Sequence, residues 1–261
     1  MLKEYRIFYI FARGITFSLR NVKVKVYNVY MDILVSGKEL SIDWDWVRQE
    51  LIKKEKIGFF DKKASSKIIH SCTESCLKKA KELSHPAAYS LKLRVNSIIR
   101  NKIKLEKGFI LTGRWLAQLL KGAKDVRLFL VTIGDGIEHA ATSMMHKGER
   151  LEGYILDRIG SFAVESLAED AENLLRKRYE AKGKSVSVRV SPGYCDWPIE
   201  EQEIMCRAMD FSRIGVSLTK SFMMVPKKSI SGLVGIGPKG HFLNTGSPCS
   251  RCKTSGCSYR R

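Results

Sequence analysis

The chain has 261 residues, 44% of them hydrophobic, and a formal net charge of +19. Its length suits one large globular domain or two small ones, and its apolar content is ordinary for a globular protein. No stretch approaches the ~20 consecutive apolar residues of a membrane-spanning helix, which excludes that class of membrane protein. The N-terminus lacks the small-residue cleavage site of a signal peptide, so we expect a cytoplasmic protein with reduced or metal-bound thiols.

The positive charge is concentrated in two parts of the sequence. Residues 51–110 hold fifteen Lys and Arg against five Asp and Glu, and residues 207–261 hold ten against one. Residues 151–206 are acidic, with eleven Asp and Glu against seven Lys and Arg. The basic excess indicates an anionic partner, either nucleic acid or an acidic protein, or else a solvated basic surface. No RRM, KH or helix-turn-helix signature accompanies it, so nucleic acid is not the expected partner.

A strand and two helices are predicted in the first third of the chain. Apolar residues alternate with Lys at residues 22–26, which predicts a half-exposed strand. Asp43 is placed to cap the next helix. Residues 64–83 carry apolar side chains at helical spacing, and the His-Pro pair that follows ends this second helix. Cys72 and Cys76 lie one turn apart on its apolar face, and we interpret them as core residues rather than metal ligands.

The middle of the chain is predicted to contain shorter elements. Thr112 is expected to cap a helix over residues 115–121, which Gly122 closes. Residues 126–131 are nearly all apolar and predict a buried strand. A further helix should begin near Asp135, after the turn that ends this strand.

Residues 153–181 form the longest predicted helix. Its polar stripe contains Glu165, Glu169, Glu172 and Arg176, and the last two are spaced for an i,i+4 ion pair. A solvated, salt-bridged face is the simplest interpretation of this stripe. The predicted buried stripe consists of Ile155, Ile159, Phe162, Leu167, Ala171 and Leu174.

The segment after this helix contains the first candidate binding site. Residues 186–191 alternate Val with Ser and Arg, which predicts a strand with one apolar face and one polar face that carries Arg189. Pro192 and Gly193 should end the strand in a turn, with Tyr194 beside it. An Arg at a strand end, a Gly that lets backbone approach a ligand, and an aromatic ring suit a small zwitterion. An edge-strand Arg beside an ordinary turn is the alternative.

The last predicted elements are a helix and a hairpin. Pro198 should open a helix that runs to about Phe211, with Glu200 and Glu201 in its first turn. Residues 230–236 alternate in polarity and are expected to pair with the preceding apolar segment, 222–225, as a hairpin. The side chains expected to face inward from the helix are Ile204, Ala208 and Phe211. Together the elements predict one continuous α+β domain over residues 1–237 and a Cys-rich basic tail over residues 238–261.

Two motifs in this region carry a family resemblance. The run Arg189-Val-Ser-Pro-Gly-Tyr194 resembles the Arg-x-x-Pro-Gly-Tyr signature of the activation domain of cobalamin-dependent methionine synthase. Residues 214–232, IGVSLTKSFMMVPKKSISG, are similar to that family's second motif, LTxSxxMxPxxSxSG. Their order and separation also match, and the resemblance is strongest over residues 128–237. It implies a mixed or antiparallel twisted sheet with flanking helices.

The resemblance also implies a function. Such a domain binds S-adenosylmethionine (AdoMet) and closes over the cobalamin of the methyltransferase. An electron from a flavodoxin- or ferredoxin-type donor and a methyl group from AdoMet then restore methylcobalamin from inactive cob(II)alamin. The chain would accordingly be an accessory part of a methyltransferase in methionine biosynthesis.

The resemblance assigns cofactor-binding roles to six residues. Arg189 would bind the AdoMet carboxylate bidentately, and the turn residues would supply backbone contacts and a ring face. Two acids would face the ligand's ammonium or sulfonium group. One is Glu169, in a Leu-Ala-Glu segment, and the other is Asp43, for which helix capping is the competing interpretation. The turn residues of this set are Pro192, Gly193 and Tyr194.

Three features depart from the family pattern. The Asp-x-His-x-x-Gly pattern of cobalamin carriers is absent, so the chain is expected to act in trans on a cobalamin-bearing partner and to be inactive alone. Lys220 replaces the usual Glu of the second motif. After Gly237 the family's Tyr-bearing strand, which also contacts AdoMet, is not recognisable.

Three cysteines close the sequence in place of that strand. Cys249, Cys252 and Cys257 have a spacing suited to zinc or an iron–sulfur cluster, given a fourth ligand such as His241 or Cys195. A tail with unligated thiols is the alternative. The tail raises a second functional hypothesis: a metal- or cluster-bearing redox adaptor for corrinoid proteins that does not bind AdoMet.

Overall fold

A six-stranded antiparallel sheet forms the centre of the computed structural model, which describes residues 12–19, 22–28, 40–55 and 63–242. Its strand order is β5-β4-β3-β6-β10-β7, and each pairing within it is antiparallel. The strands are β3 (Ala87–Ile99), β4 (Lys102–Leu105), β5 (Ile110–Thr112), β6 (Asp125–Thr132), β7 (Lys184–Val186) and β10 (Ser229–Pro238). Two separate pairs are β1 (Ala12–Leu19) with β2 (Val22–Asn28), and β8 (Ser217–Leu218) with β9 (Met224–Val225).

Helices cover both faces of this sheet. They are α1 (Trp44–Lys54), α2 (Lys63–Leu83), α3 (Arg114–Leu119), α4 (Gly136–His146), α5 (Arg150–Glu180) and α6 (Gln202–Met209). One hydrophobic core lies between the sheet and α1, α2, α4 and α5, and the other lies beneath α3 and α6. Because successive strand residues point to opposite faces, Phe129 enters the first core while its neighbours Leu128 and Leu130 enter the second. The expected α+β fold with an antiparallel sheet and flanking helices is confirmed.

The long helix α5 is the central helix of the first core. Of its expected buried stripe, Phe162 and Leu174 are only half-buried, and the other four side chains are buried. Other faces of α5 are buried as well, since α1, α2 and α4 all pack on it. Gly160 allows α4 to approach closely, because a Cβ there would lie 2.8 Å from the Ile137 side chain. None of the helices in the described ranges is long and apolar enough to cross a membrane.

The predicted cap of α3 is wrong. Thr112 ends strand β5, and Gly113 occupies the N-cap position without a capping side chain. The first helical N–H groups instead donate to a distant carboxylate, Asp196, at 2.7 Å from Arg114 N and 3.1 Å from Trp115 N. A local pattern could not identify this cap, because the acceptor lies more than eighty residues away along the chain.

The buried face of helix α6 also differs from the predicted one. Met205 and Met209 are the buried apolar side chains of the helix, whereas Ile204 and Ala208 are half-buried. A 3-10 turn over Ile199–Glu201 precedes the helix, and Asp210, with a φ of 56°, ends it before Phe211. The change from 3-10 to α geometry rotates the buried face relative to a continuous helix.

The expected hairpin between residues 222–225 and 230–236 is wrong. Strand β10 pairs along its length with β6 and at its end with β7, while β9 pairs with β8. Both faces of β10 are buried, so it is a central strand rather than half of a surface hairpin. Its glycines make this possible: a Cβ at Gly232 would lie 2.9 Å from the Phe129 ring, and one at Gly235 would lie 2.7 Å from Leu120.

Candidate functional site

The segment that carries Arg189 is not the continuous strand expected. Strand β7 ends at Val186, and only Val190 pairs again, through an isolated bridge to β10. Between them Ser187 turns inward: its N–H donates to the carbonyl of Gly235 at 2.9 Å, and the Gly235 N–H donates to its Oγ at 2.8 Å. Arg189 therefore does not lie on a strand face lined by hydroxyls. It projects onto helix α5.

Four charged side chains meet where this segment crosses α5. Arg189 Nη2 lies 2.9 Å from Glu165 Oε2, and its Nε lies 3.7 Å from Glu172 Oε2. Glu172 also pairs with Arg176 at 3.1 Å, as its spacing predicted. Arg176 in turn donates to both carbonyl oxygens of residues 186–187, at 2.7 and 3.2 Å. We call these four residues the α5 ion-pair cluster; its two positive and two negative charges anchor the segment before the turn.

Sequence reasoning placed Glu165 and Glu172 on a solvated stripe and missed their contact with Arg189. The side chain of Arg189 is only 15% exposed, so these pairs are partly shielded from water. Partly buried ion pairs of this kind are stronger than surface pairs, because solvent screens them less. In the sequence, this contact is indicated by the spacing of Glu165 and Glu172, which lie seven residues apart on one face of the helix.

The turn after Arg189 has the predicted form. Pro192 is buried, and Gly193 has a φ of 88°, a conformation that strains other residues. The Tyr194 N–H donates to the carbonyl of Ser191 at 3.1 Å, and the Gly193 N–H donates to that of Trp197 at 2.8 Å. The Tyr194 side chain is 38% exposed at the protein surface. Backbone and ring are therefore both accessible at this turn.

The two sequence motifs meet beside this turn. Ser191, from the first motif, donates through Oγ to the carbonyl of Ser231, from the second, at 2.7 Å. The Ser231 hydroxyl donates in turn to Gln202 Oε1 at 2.8 Å and is buried. The motifs thus form one structural unit, although forty residues separate the two serines.

A buried carboxylate supports the far side of the turn. Glu201 accepts hydrogen bonds from the Trp197 indole at 2.7 Å, from the Thr112 backbone N–H at 2.9 Å and from the Thr112 hydroxyl. The sequence suggested only a favourable charge in the first turn of a helix. The structure shows that Glu201 ties the turn to the sheet edge at β5.

Asp43 and Glu169 lie along the same stretch of α5. Asp43 caps α1, accepting from Trp46 N at 2.9 Å, which confirms the capping interpretation. Its own N–H donates to Ser166 Oγ at 2.9 Å, which joins the start of α1 to α5. Glu169 is exposed one turn further along α5. Residues 165–172 of α5 thus carry Glu169 and contact both Asp43, through Ser166, and Arg189, through Glu165 and Glu172.

The second motif contributes an exposed apolar tip. In the β8–β9 hairpin, Met223 is 55% exposed and Val225 is 44% exposed, whereas Met224 packs partly against the second core. Lys220, which departs from the family pattern, is exposed at the same tip.

Of the two helix cysteines, Cys76 is a core residue, as predicted, and Cys72 is half-buried against the same core. Cys76 is buried, and burial raises the pKa of its thiol to about 12; burial also raises the pKa of Cys72. Within residues 40–55 and 63–242 no group of three or more His, Cys, Asp or Glu is placed to hold a metal ion.

The tail cysteines, Cys249, Cys252 and Cys257, lie outside the described residues, so the metal site there stays a prediction. Of the two suggested fourth ligands, His241 has its Nε2 2.6 Å from the carbonyl of Lys121. Cys195 is half-buried in the turn after Tyr194.

Comparison with known proteins identifies the family. The model of the family described as "Vitamin B12 dependent methionine synthase, activation domain" matches residues 49–249. The chain belongs to this family. The resemblance drawn from the two motifs is therefore confirmed, and the match supports the first of the two functional hypotheses but not the redox adaptor.

A solved structure supports the same fold. The structure described as "Crystal Structure of the MetH Reactivation Domain bound to AdoHcy" is 16% identical to this chain, with a TM-score of 0.54. The similarity covers 76% of this chain and 74% of that one. A search of curated proteins finds no match. The activation-domain fold is thus retained at low sequence identity.

Proposed function

We propose that this activation domain binds AdoMet at the α5 ion-pair cluster and the adjacent turn, and so supports the reductive remethylation of cobalamin in methionine synthase. The observation that carries the proposal is the meeting of the two family motifs at Ser191 and Ser231, directly after Arg189. The bound AdoHcy of the MetH domain, which is the product of methyl transfer from AdoMet, adds support.

The charges around Arg189 suit the amino-acid part of AdoMet. That part carries a carboxylate beside an ammonium group, and the sulfonium adds a second positive charge. A guanidinium binds a carboxylate through two parallel hydrogen bonds. We infer that the ligand carboxylate replaces Glu165 at Arg189, and that Glu165 then receives the ligand ammonium. This exchange keeps every charge paired, which limits the cost of burial.

The surrounding residues complete the site in this proposal. Gly193 lets the ligand approach the backbone, and Tyr194 offers a ring face to the adenosine or to the sulfonium. Glu169, on α5, and Asp43, joined to α5 through Ser166, are both exposed and add negative potential for the two positive charges of the ligand. The protein's role is to bind and orient AdoMet, since the reacting atoms belong to AdoMet and to cobalamin.

The proposed partner is the cobalamin-bearing part of methionine synthase, with a flavodoxin- or ferredoxin-type protein as electron donor. In the reaction, one electron and the methyl group of AdoMet convert cob(II)alamin to methylcobalamin, and AdoHcy is released. The exposed tip at Met223 is suited to contact the partner, because methionine adapts to irregular apolar surfaces.

Spectroscopy tests this proposal directly. Cognate methionine synthase in the cob(II)alamin state is mixed with a reductant, AdoMet and this chain, and the absorbance of methylcobalamin is followed. We expect methylcobalamin to form only when the chain and AdoMet are both present. Equal formation without the chain would refute the reactivation role, and calorimetry showing no AdoMet binding would refute the site.

A further inference from the structure

A basic groove lies on the sheet face covered by α3, away from the α5 ion-pair cluster. It has a volume of about 530 Å³ and runs between the end of β3 and the helix α3. Four cationic side chains line it, and no Asp or Glu does. The cations are Arg100, Arg114, Lys121 and Lys124.

Carboxylates of the described residues do not neutralise these four cations. Within residues 40–55 and 63–242, none of the four side chains takes part in an ion pair or a side-chain hydrogen bond. Some other cations in the same ranges are paired, such as Lys228, whose Nζ lies 2.7 Å from Asp157. At the start of α3, the carboxylate of Asp196 accepts hydrogen bonds from the first backbone N–H groups of the helix.

Backbone hydrogen bonds join the segments that carry these four residues. The Gly113 N–H donates to the carbonyl of Asn101 at 2.9 Å, which joins the start of α3 to the β3–β4 turn. The Val95 N–H donates to the carbonyl of Lys124 at 3.0 Å, which joins β3 to the turn after α3. Like charges held together repel, and an anion bound among them relieves that repulsion.

The shape of the groove indicates the class of anion. Its volume lies in the range of small-ligand sites, and Val95, Ile98 and Ala117 add apolar surface beside the cations. A phosphate chain matches the cations, and a nucleoside matches the apolar surface. We propose that this groove binds a nucleoside di- or triphosphate, at a site separate from the AdoMet site.

Calorimetry with ATP, ADP, AMP, adenosine and pyrophosphate tests the proposal, at about 50 mM and about 150 mM salt, because screening separates charge effects from shape. The groove variant is Arg114→Gln with Lys121→Gln. Its matched control is Lys102→Gln with Lys104→Gln, which removes two exposed charges from β4 that do not line the groove. We expect affinity to rise with the number of phosphates, to fall at least about tenfold in the groove variant and to stay unchanged in the control.

Three results would overturn the proposal. The first is that neither ATP nor pyrophosphate binds at low salt. The second is an equal loss of affinity in the two variants. The third is groove-dependent binding of a duplex oligonucleotide with higher affinity than that of ATP. Thermal melting checks that each variant is folded. If the first groove variant does not fold, Arg100→Gln with Lys124→Gln replaces it, since both positions are exposed.

Discussion

At Arg189, the side chain that we propose binds the AdoMet carboxylate is paired with two glutamates of α5. Its contacts with Glu165 and Glu172, at 2.9 and 3.7 Å, mean that a ligand carboxylate must compete with protein carboxylates. The same contacts hold the guanidinium in position, so less side-chain entropy is lost when a ligand binds. Arg189 is therefore a structural residue as well as the proposed binding residue.

We expect Arg189→Ala to lower AdoMet affinity about tenfold to a hundredfold, because a charge-assisted pair contributes about 1.5–3 kcal/mol. The variant should also lose some stability, since two carboxylates lose a partner. Calorimetry and urea unfolding measure the two effects. Arg48→Ala is the control, because Arg48 forms its ion pair with Glu74, on α2. Unchanged affinity in Arg189→Ala would contradict the site.

Glu165→Gln tests the exchange of partners at Arg189. The amide keeps the size of the side chain but removes the charge that we assign to the ligand ammonium. We expect AdoMet affinity to fall about tenfold, which corresponds to about 1.4 kcal/mol. An AdoMet analogue without the α-amino group should bind wild type and variant equally. Glu203→Gln, at an exposed position of α6, is the control. If Glu165→Gln lowers the affinity for AdoMet and for the analogue equally, Glu165 acts only by positioning Arg189.

Among the elements, the turn after Arg189 depends on contacts with distant parts of the chain. Glu201 joins the turn to β5, and Asp196 joins it to the start of α3. A loop fixed at both ends in this way presents its backbone to a ligand in one conformation. The rigidity of the site is therefore a property of three elements together.

Glu201→Gln should destabilise the protein by about 1–3 kcal/mol, because an amide cannot accept all three hydrogen bonds of the buried carboxylate and would turn a donor toward other donors. Urea unfolding measures the loss. Glu200→Gln, an exposed neighbour in the same turn, should leave stability unchanged. Equal midpoints for the two variants would show that the hydrogen bonds of Glu201 add little.

At the scale of the whole molecule, the sheet separates two surfaces. Helix α5 and the ion-pair cluster lie on one face, and α3 with the basic groove lies on the other. A ligand on one face therefore leaves the other accessible. The metal site predicted from the spacing of the tail cysteines is a third feature of the chain.

If the tail holds zinc or an iron–sulfur cluster, anaerobically purified protein should contain the metal, and Cys249→Ser with Cys252→Ser should remove it. AdoMet affinity should stay the same, because the proposed AdoMet site is formed by α5 and the turn after Arg189. Elemental analysis and the visible spectrum measure the metal. Wild-type protein without zinc or iron would refute the prediction.

The features predicted correctly from the sequence are those that depend on neighbours in the chain. The periodicity of α5, the continuous apolar run of β6, the cap at Asp43 and the turn at Gly193 were all predicted, because local propensity and burial decide them. The two motifs, read together, also identified the family. Each of these signals lies within one element or one short run of residues.

The contacts between distant groups became visible only in the folded structure. The cap of α3 by Asp196, the pairing of β10 with β6 and the contact of Arg189 with Glu165 all join residues far apart in the sequence. The sequence shows which side chains are charged, but it does not show which of several carboxylates a given guanidinium will contact. That choice follows from how α5 crosses the segment after β7, and so from the packing of the whole sheet.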